Sequence, residues 1–221
     1  LARVFPGDKH GTITEKIAYF LTEKLLKPSD FLIDLHSGGI TARIPTLIGY
    51  IHSDDERGQR ALAGAKAFGV SIMWGHPLPV PPGRSLTAAT NLGIPALYTE
   101  AAGGGYARPE DVRCFTNGVL NVMKHLDMLE GEPQLQPVTH HLIGNGNLDE
   151  VITTPVAGYF RSEVDLLESV STGQQLGTIC NAFGDILARI TSQQSGIVIM
   201  LRRIHRVHPG DGLVHVTSRL E

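Results

Sequence analysis

The chain has 221 residues, of which 42% are hydrophobic and 19% are charged, and its formal net charge is -3 at neutral pH. This length permits one large domain or two modest ones, each with its own hydrophobic core. The composition includes no block of Lys and Arg, which argues against nucleic acid as a partner. No apolar run approaches the roughly 18 residues that span a bilayer, so we expect no membrane partner.

The two cysteines, Cys114 and Cys180, fall in segments that we assign below to different domains. Such a pair predicts reduced thiols rather than a disulfide framework. Because no secretory signal is recognisable either, the sequence favours a cytoplasmic protein. The chain begins at Leu1 rather than at a methionine, and we expect that N-terminal sequence is missing. The cytoplasmic assignment therefore applies to these residues alone.

Helical and strand-like segments alternate from residue 12 to residue 127. Thr12 and Glu15 have the spacing of a capping box, which predicts a helix start. The apolar residues that follow at four-residue intervals, before a stop at Pro28, are Ile17, Leu21 and Leu25. Four apolar runs predict strands: FLIDL (31–35), TLIGYI (46–51), VSIMW (70–74) and PALYTE (95–100).

Two further helices are predicted between and after these strands. One contains Ala61, Ala65 and Phe68 and ends at Gly69, and the other begins at Pro109 with acidic residues behind it. The buried face predicted for the second consists of Val112, Phe115, Val119, Val122 and Leu126. Strands that alternate with helices indicate an α/β domain over residues 1–130, with a largely parallel mixed sheet covered by helices on both faces.

Residues 131–221 have a different character. A polar, proline-containing linker leads to short strands separated by Gly, Pro, Asn and Asp, with no convincing helix, which predicts a small all-β, barrel-like domain. Residues 152–160 are similar to 190–198, and residues 170–179 are similar to 207–216, which suggests two duplicated halves. The pattern resembles lipoyl and biotinyl carrier domains. The region between the halves contains no lysine to carry a cofactor, so we expect a structural cap or a wall of the site instead.

His36 ends the predicted strand FLIDL and is followed by Ser and two glycines. Ligands of open α/β sheets usually bind at the carboxyl ends of strands. Because side chains alternate along a strand, Asp34 and His36 point to the same face. Two interpretations stay open for this residue taken alone: a metal ligand with an acidic neighbour, or a histidine that is hydrogen-bonded in a tight turn.

Glu100 ends another predicted strand in the same way, within YTEAAGGG (98–105). A single Glu at a strand end is more often solvated and inert. Two strand ends that each combine an ionisable residue with a glycine turn favour a functional site, and we expect both side chains to face one cavity.

Two arginines are candidates for binding a substrate carboxylate. Arg3 stands before an aromatic residue and a Pro-Gly turn, a setting that can fix its guanidinium group. Arg84, in a proline-rich loop, is a weaker candidate, and Ser85 after it is a candidate helix N-cap. A surface role is the alternative for either arginine. His76 is a candidate lining residue, and the histidines with surface or packing roles are His140, His141, His205, His208 and His215.

The motifs together resemble the succinylglutamate desuccinylase/aspartoacylase family, whose catalytic domain is related to zinc carboxypeptidases. LARVFPG (1–7) is similar to the NxNRxFPG stretch of the family, with Ala2 where an asparagine is usual. The resemblance implies that His36 is the last zinc ligand and that Glu100 is the catalytic glutamate. It also implies that Arg3 holds a substrate carboxylate, while Asp34 either orients His36 or binds a substrate amino group.

One element of the family pattern is missing. The first two zinc ligands of the family come from an HGNE-type segment upstream of the arginine motif, and no His-x-x-Glu occurs in these 221 residues. A catalytic zinc needs about three protein ligands, so we expect no well-ordered zinc on this chain alone. For the intact protein the resemblance implies one zinc ion and the hydrolysis of a small N-acyl amino acid to a carboxylate and an amine.

Two other functions are alternatives. A zinc carboxypeptidase would act on peptides, but the additional β domain and the desuccinylase-like motifs argue against it. A metal-free binding protein of the same fold is the other alternative. The acyl group and the oligomeric state, including a homo-oligomer, are left open by the sequence.

Overall fold

A ten-stranded mixed sheet organises the molecule, in a computed structural model that describes residues 1–105, 107–147 and 151–220. The helices are α1 (Ile13–Leu21), which continues into a π-helical turn (Thr22–Leu26), α2 (Glu56–Phe68), α3 (Ser85–Asn91) and α4 (Pro109–His125). The first six strands are β1 (Leu32–Leu35), β2 (Ala42–Arg43), β3 (Leu47–His52), β4 (Ile72–Pro77), β5 (Ala96–Glu100) and β6 (His140–Ile143). The remaining eight are β7 (Ile152–Thr153), β8 (Gly158–Ser162), β9 (Ser169–Val170), β10 (Gln175–Cys180), β11 (Ile186–Thr191), β12 (Gly196–Arg202), β13 (Arg206–Val207) and β14 (Gly212–Arg219).

The local signals for helices and strands are largely confirmed. Thr12 and Glu15 form the predicted capping box at the start of α1, and Gly69 ends α2 in the left-handed conformation with φ 83°. The four predicted strands are present as β1, β3, β4 and β5. In the described part of the chain, no helix is long and apolar enough to cross a membrane.

The strand order of the large sheet is β1-β5-β3-β4-β6-β14-β12-β2, with β7 on β14 and β9 on β12. The pairs β1/β5, β3/β4 and β4/β6 are parallel, whereas β3/β5 and every described pair of the later strands are antiparallel. The predicted predominance of parallel pairing is therefore not confirmed. Alternation of helices and strands does not fix strand direction, because the long connection between β4 and β5 brings β5 back beside β1 rather than beyond β4.

Helices cover both faces of the part of this sheet that β1, β5 and β3 form, as predicted for the α/β domain. Helices α2 and α4 pack on one face through a core that includes Tyr50, Phe68 and Met73. Helix α3 and the π-helical turn pack on the other face around Ile51, Leu86 and Leu26. The second face also carries the cavity described below.

Two of the predicted apolar faces differ from the observed ones. In α4, Val122 is buried, but Val112 is 54% exposed because it lies at the open outer edge of the groove beside Leu35. Along α1 and its π-helical turn, Ile17 and Leu25 are exposed, and Ala18 and Leu26 are the buried apolar residues. The four-residue period is correct, but the face that meets the core lies one position further along the chain.

The later strands form two layers around a shared apolar core. A four-stranded antiparallel sheet has the order β11-β10-β8-β13, and its residues Phe160, Leu176 and Ile179 pack against Val198 and Val214 of the large sheet. The pairing exchanges strands between the two similar halves, since β9 pairs with β12 and β13 pairs with β8. Two layers rather than a closed barrel are observed, and the division of the chain near residue 130 stays a prediction.

His76 is a buried polar residue that joins three segments. Its Nδ1 lies 2.8 Å from the Gly144 carbonyl oxygen and its Nε2 lies 2.9 Å from the Tyr98 hydroxyl. A carbonyl can only accept, so Nδ1 carries the proton and Nε2 accepts from Tyr98. The pKa of His76 is lowered to about 4, chiefly by burial and to a smaller extent by Arg84 and His215, against the opposing effect of the Gly144 carbonyl.

We expect His76 to make the folded state less stable as the pH falls from about 6.5 to about 4. The unfolded histidine, with an ordinary pKa of about 6.5, binds a proton in this range while the folded one does not, which costs up to about 3 kcal/mol by pH 4. Denaturant unfolding of the wild type and of His76→Gln across this range measures the difference. Equal pH slopes for the two proteins would contradict the assignment.

We expect Gly118→Ala to destabilise the contact between α4 and α2. A Cβ at Gly118 would lie 2.3 Å from ring carbons of Phe68, whose side chain is fully buried. Overpacking of this kind costs about 1–3 kcal/mol, which exceeds the helix-propensity gain of up to about 1 kcal/mol. Asn117→Ala, on the exposed side of the same helix turn, should leave stability unchanged or raise it. Equal free energies of unfolding for the two variants would rule out the clash.

Candidate active site

The parallel pair β1/β5 brings the two predicted strand ends together. The register places Asp34 opposite Tyr98 and Leu35 opposite Thr99, and the backbone N–H of His36 donates to the Thr99 carbonyl at 3.2 Å. Because side chains alternate, the position two residues beyond Asp34 and the position two residues beyond Tyr98 share one face. His36 and Glu100 accordingly line a single cavity.

His36 is held by a carboxylate. Its Nε2 lies 3.0 Å from Asp34 Oδ2, and this hydrogen bond raises the pKa of His36 against the opposing effect of burial. Burial pushes the pKa of Asp34 upwards, but the hydrogen bonds from His36 and Ser85 outweigh it, and the net shift is downwards. Asp34 therefore stays ionised and fixes the orientation of the imidazole.

Ser85 donates the second hydrogen bond to Asp34, from its hydroxyl to Oδ2. It is the first residue of α3, and Arg84 occupies the N-cap position without a side-chain cap. The N-cap role considered for Ser85 is therefore wrong, because its hydroxyl is directed to the neighbouring strand rather than to the helix backbone. In the sequence, the only sign of this contact was that Ser85 carries a hydroxyl group that can donate to a carboxylate such as Asp34.

Glu100 is a buried carboxylate, 8% exposed. Its Oε2 has no hydrogen-bond partner among the described residues. The pKa of Glu100 is raised to about 7, chiefly by burial and to a smaller extent by the nearby Asp34, with His36 acting in the opposite direction. A carboxyl group with a pKa near neutrality can both take and give a proton, as a general base or acid requires.

Arg3 lines the same cavity. Its guanidinium Nη1 donates to the Ala2 carbonyl at 3.0 Å. The segment that carries it is attached to the loop before α3, since the Phe5 N–H donates to the Gly83 carbonyl at 2.9 Å. A Cβ on Gly83, where φ is 81°, would lie 2.3 Å from the Arg3 carbonyl oxygen, so only glycine permits this close approach. The two candidate arginines, Arg3 and Arg84, thus come from backbone segments in direct contact.

Arg84 lines the cavity and contacts residues 144–147, here called the wall loop. Its Nη1 donates to the Gly146 carbonyl at 3.0 Å, and its Nη2 donates to Asn147 Oδ1 at 2.9 Å. Asn145 and Gly146 of this loop line the cavity as well. Direct contact between Arg84 and a substrate stays a prediction.

Tyr98 and His76 were not predicted to act together. Their rings stack with centroids 5.5 Å apart, and the Tyr98 ring edge faces His36 at a centroid distance of 6.5 Å. A Cβ on Gly49, opposite Tyr98 on β3, would lie 1.8 Å from the tyrosine ring. The side-chain period of strand β5 places Tyr98 on the face of Glu100, and this is the signal that would have found it.

The described residues fit only one part of the zinc site that the sequence motifs predict. His36, with Nε2 bound to Asp34, leaves Nδ1 as the nitrogen that a metal would take, which is the usual carboxylate–histidine arrangement of zinc ligands. No group of three or more His, Cys, Asp or Glu side chains in ligand arrangement occurs in the part of the chain that the structure describes. The fit is therefore that of a single ligand with its orienting carboxylate.

The chain is similar in sequence and structure to known proteins. An N-alpha-acetyl-L-2,4-diaminobutyric acid deacetylase from Halomonas elongata is 30% identical over 228 residues, covering 100% of this chain and 66% of its own length. The ectoine utilization protein EutE (DoeB) from Ruegeria pomeroyi superposes with a TM-score of 0.86 at 28% identity, covering 98% of this chain and 69% of that one. A succinylglutamate desuccinylase from a Silicibacter species superposes with a TM-score of 0.88 at 25% identity, covering 99% of this chain and 67% of that one.

The chain thus spans about two thirds of the length of these proteins. Residues 1–126, which contain both strand ends of the cavity, match the family described as succinylglutamate desuccinylase/aspartoacylase catalytic domain. The resemblance drawn from the sequence motifs is confirmed: the chain belongs to the succinylglutamate desuccinylase/aspartoacylase family.

Proposed function

We propose that the protein to which these residues belong is a zinc-dependent deacylase that hydrolyses the amide bond of a small N-acyl amino acid or a similar compound. The observation that carries this proposal is the buried carboxyl group of Glu100 beside His36 in one cavity. A titratable carboxyl group with a pKa near neutrality, in a cavity with a metal-ligand type of residue, suits the hydrolysis of an amide.

Glu100 has the position and the pKa of a proton carrier. Its Oε2, which has no hydrogen-bond partner in the part of the chain that the structure describes, can accept a proton from an attacking water. The same oxygen can then deliver that proton to the leaving nitrogen. Burial favours both steps, since a pKa of about 7 leaves the base and the acid forms close in free energy at neutral pH. The products are a carboxylate and a free amine.

His36 would hold the metal, with Asp34 and Ser85 fixing the orientation of its ring. When bound, zinc supplies the Lewis acidity that activates water near neutral pH and polarises the amide carbonyl. One histidine binds zinc weakly, so further ligands from outside the described residues are part of this proposal. Of the two roles open for Asp34, its contacts favour orientation of His36 over contact with a substrate amino group.

Arg3 would bind a carboxylate of the substrate. A guanidinium group at the cavity provides a planar donor pair for a carboxylate, which orients the amide for attack. Ala2, where the family usually has asparagine, removes one donor from this part of the cavity. The deacetylase relative, whose printed substrate is an N-acetylated diamino acid, supports a small N-acyl amino acid as the substrate class.

We expect Glu100→Gln in the full-length enzyme to abolish hydrolysis while zinc content stays unchanged. The amide keeps the size of the side chain but cannot carry the proton, and the loss of general acid–base catalysis lowers the rate by roughly 100-fold to 10,000-fold. Deacylation of N-acetyl diamino acids and metal analysis of the same samples are the measurements.

Glu130→Gln, on the exposed segment after α4, is the matched control and should retain full activity. Hydrolysis by Glu100→Gln near the wild-type rate would exclude Glu100 as the proton carrier. Preferential cleavage of peptide C-termini by the wild type would instead support a carboxypeptidase and overturn the deacylase proposal.

A further inference from the structure

The wall loop connects the sheet end at β6 with the cavity. It begins at Gly144, whose N–H donates to the Gly75 carbonyl at 3.1 Å, and it ends at Asn147, whose N–H donates to its neighbour Asn145 Oδ1 at 2.8 Å. Asn145 and Gly146 form one side of the cavity that holds His36 and Glu100. The position of this loop therefore affects the space that a substrate can occupy.

The backbone of the wall loop packs closely against neighbouring side chains. At Gly146, where φ is 62°, a Cβ would lie 2.5 Å from the His76 ring, and a Cβ on Gly144 would lie 2.4 Å from Thr217 Oγ1 and 3.3 Å from Trp74 Nε1. The backbone of the loop thus rests directly on these side chains. The hydrogen bond from His76 Nδ1 to the Gly144 carbonyl fixes one end of the loop.

Arg84 fixes the other end. Its two terminal nitrogens donate to two different acceptors on the loop, the Gly146 carbonyl and the Asn147 side chain. The rigid fork of a guanidinium group restrains both position and orientation in this arrangement, which an ammonium group cannot do. Arg84 reaches the loop from the start of α3, more than sixty positions away in the sequence, so the contact ties two distant segments together.

We propose that Arg84 is a positioning residue that holds the wall loop against Trp74 and His76, and that the loop in this position determines which amide substrates the cavity admits. The first part stands on the contacts alone. The second part rests on the proposed deacylase function. Without Arg84, the distal half of the loop loses the hydrogen bonds to Gly146 and Asn147 and we expect it to move, while Gly144 keeps its hydrogen bonds with Gly75 and His76.

Trp74 provides a direct readout of this contact. It is the only tryptophan of the 221-residue chain, it is 1% exposed, and it lines the same cavity as Asn145 and Gly146 in the distal half of the loop. In Arg84→Met, which keeps the aliphatic part of the side chain, acrylamide should quench Trp74 more strongly than in the wild type. Hydrogen exchange of the Asn147 backbone N–H should accelerate roughly tenfold or more, because the hydrogen bonds that the charged Arg84 donates to this part of the loop are lost.

Arg57→Met is the matched control. Arg57 also joins two segments, by donating to the Thr90 carbonyl and to Asp55 at 2.7 Å each, so its loss reports the general effect of removing such a link. It should leave the Trp74 and Asn147 signals unchanged. Asn147→Ala removes one of the two acceptors and Arg84→Lys removes the fork, and both should give intermediate effects on a folded chain.

If Trp74 quenching and hydrogen exchange at residue 147 are the same as in the wild type for Arg84→Met, Arg84→Lys and Asn147→Ala, Arg84 does not hold the wall loop. In the full-length enzyme, Arg84→Lys should raise KM more than it lowers kcat and should narrow the preference between short and long acyl groups. If quenching and exchange change as expected but substrate preference does not, Arg84 holds the wall loop and the loop does not determine substrate preference. Absence of deacylase activity in the wild type would instead refute the proposed function, and the fluorescence result would stand.

Discussion

The register between β1 and β5 is the constraint on which the candidate site depends. Both strands run in the same direction, so their carboxyl ends meet at one edge of the sheet, with Asp34 opposite Tyr98. A slip by one residue would turn either His36 or Glu100 towards the face covered by α2 and α4. The Tyr98 ring packs over Gly49, where a Cβ would lie 1.8 Å from it, and a slip by one residue would remove the ring from this position.

The chemistry of the cavity follows from unequal solvation of its two carboxylates. Asp34 receives hydrogen bonds from His36 and Ser85 and stays charged, while Glu100 is buried with an oxygen to which no described residue donates a hydrogen bond. One fold thus holds one carboxylate as a fixed anion and the other near its titration midpoint at neutral pH. The imidazole of His36 contacts Asp34, and both carboxylates raise its pKa.

The sequence predicted His36 and Glu100 as partners because strand ends, glycine turns and the two-residue side-chain period are local signals. The capping box at Thr12 and the left-handed Gly69 were predictable for the same reason. Strand direction was not, because it depends on how the long connection before β5 crosses the sheet. The contacts of Ser85 with Asp34 and of Arg84 with the wall loop join positions more than fifty residues apart, and no local pattern encodes such pairs. Val112 was assigned to the core from helical periodicity alone. Periodicity predicts which residues share a face of the helix, but it does not predict which parts of that face other elements cover.

Strand β14 has a consequence for how the protein forms during synthesis. It follows every other strand in the sequence, yet it lies inside the large sheet, between β6 and β12, and also pairs with β7. Until residues 212–219 leave the ribosome, β6 and β12 both present bare hydrogen-bonding edges to the cell. A nascent chain would therefore expose the free edge of β6 while the roughly seventy residues that follow it are made, and the free edge of β12 while the last ten or so are made. Chaperones that shield extended segments are expected to act in that interval.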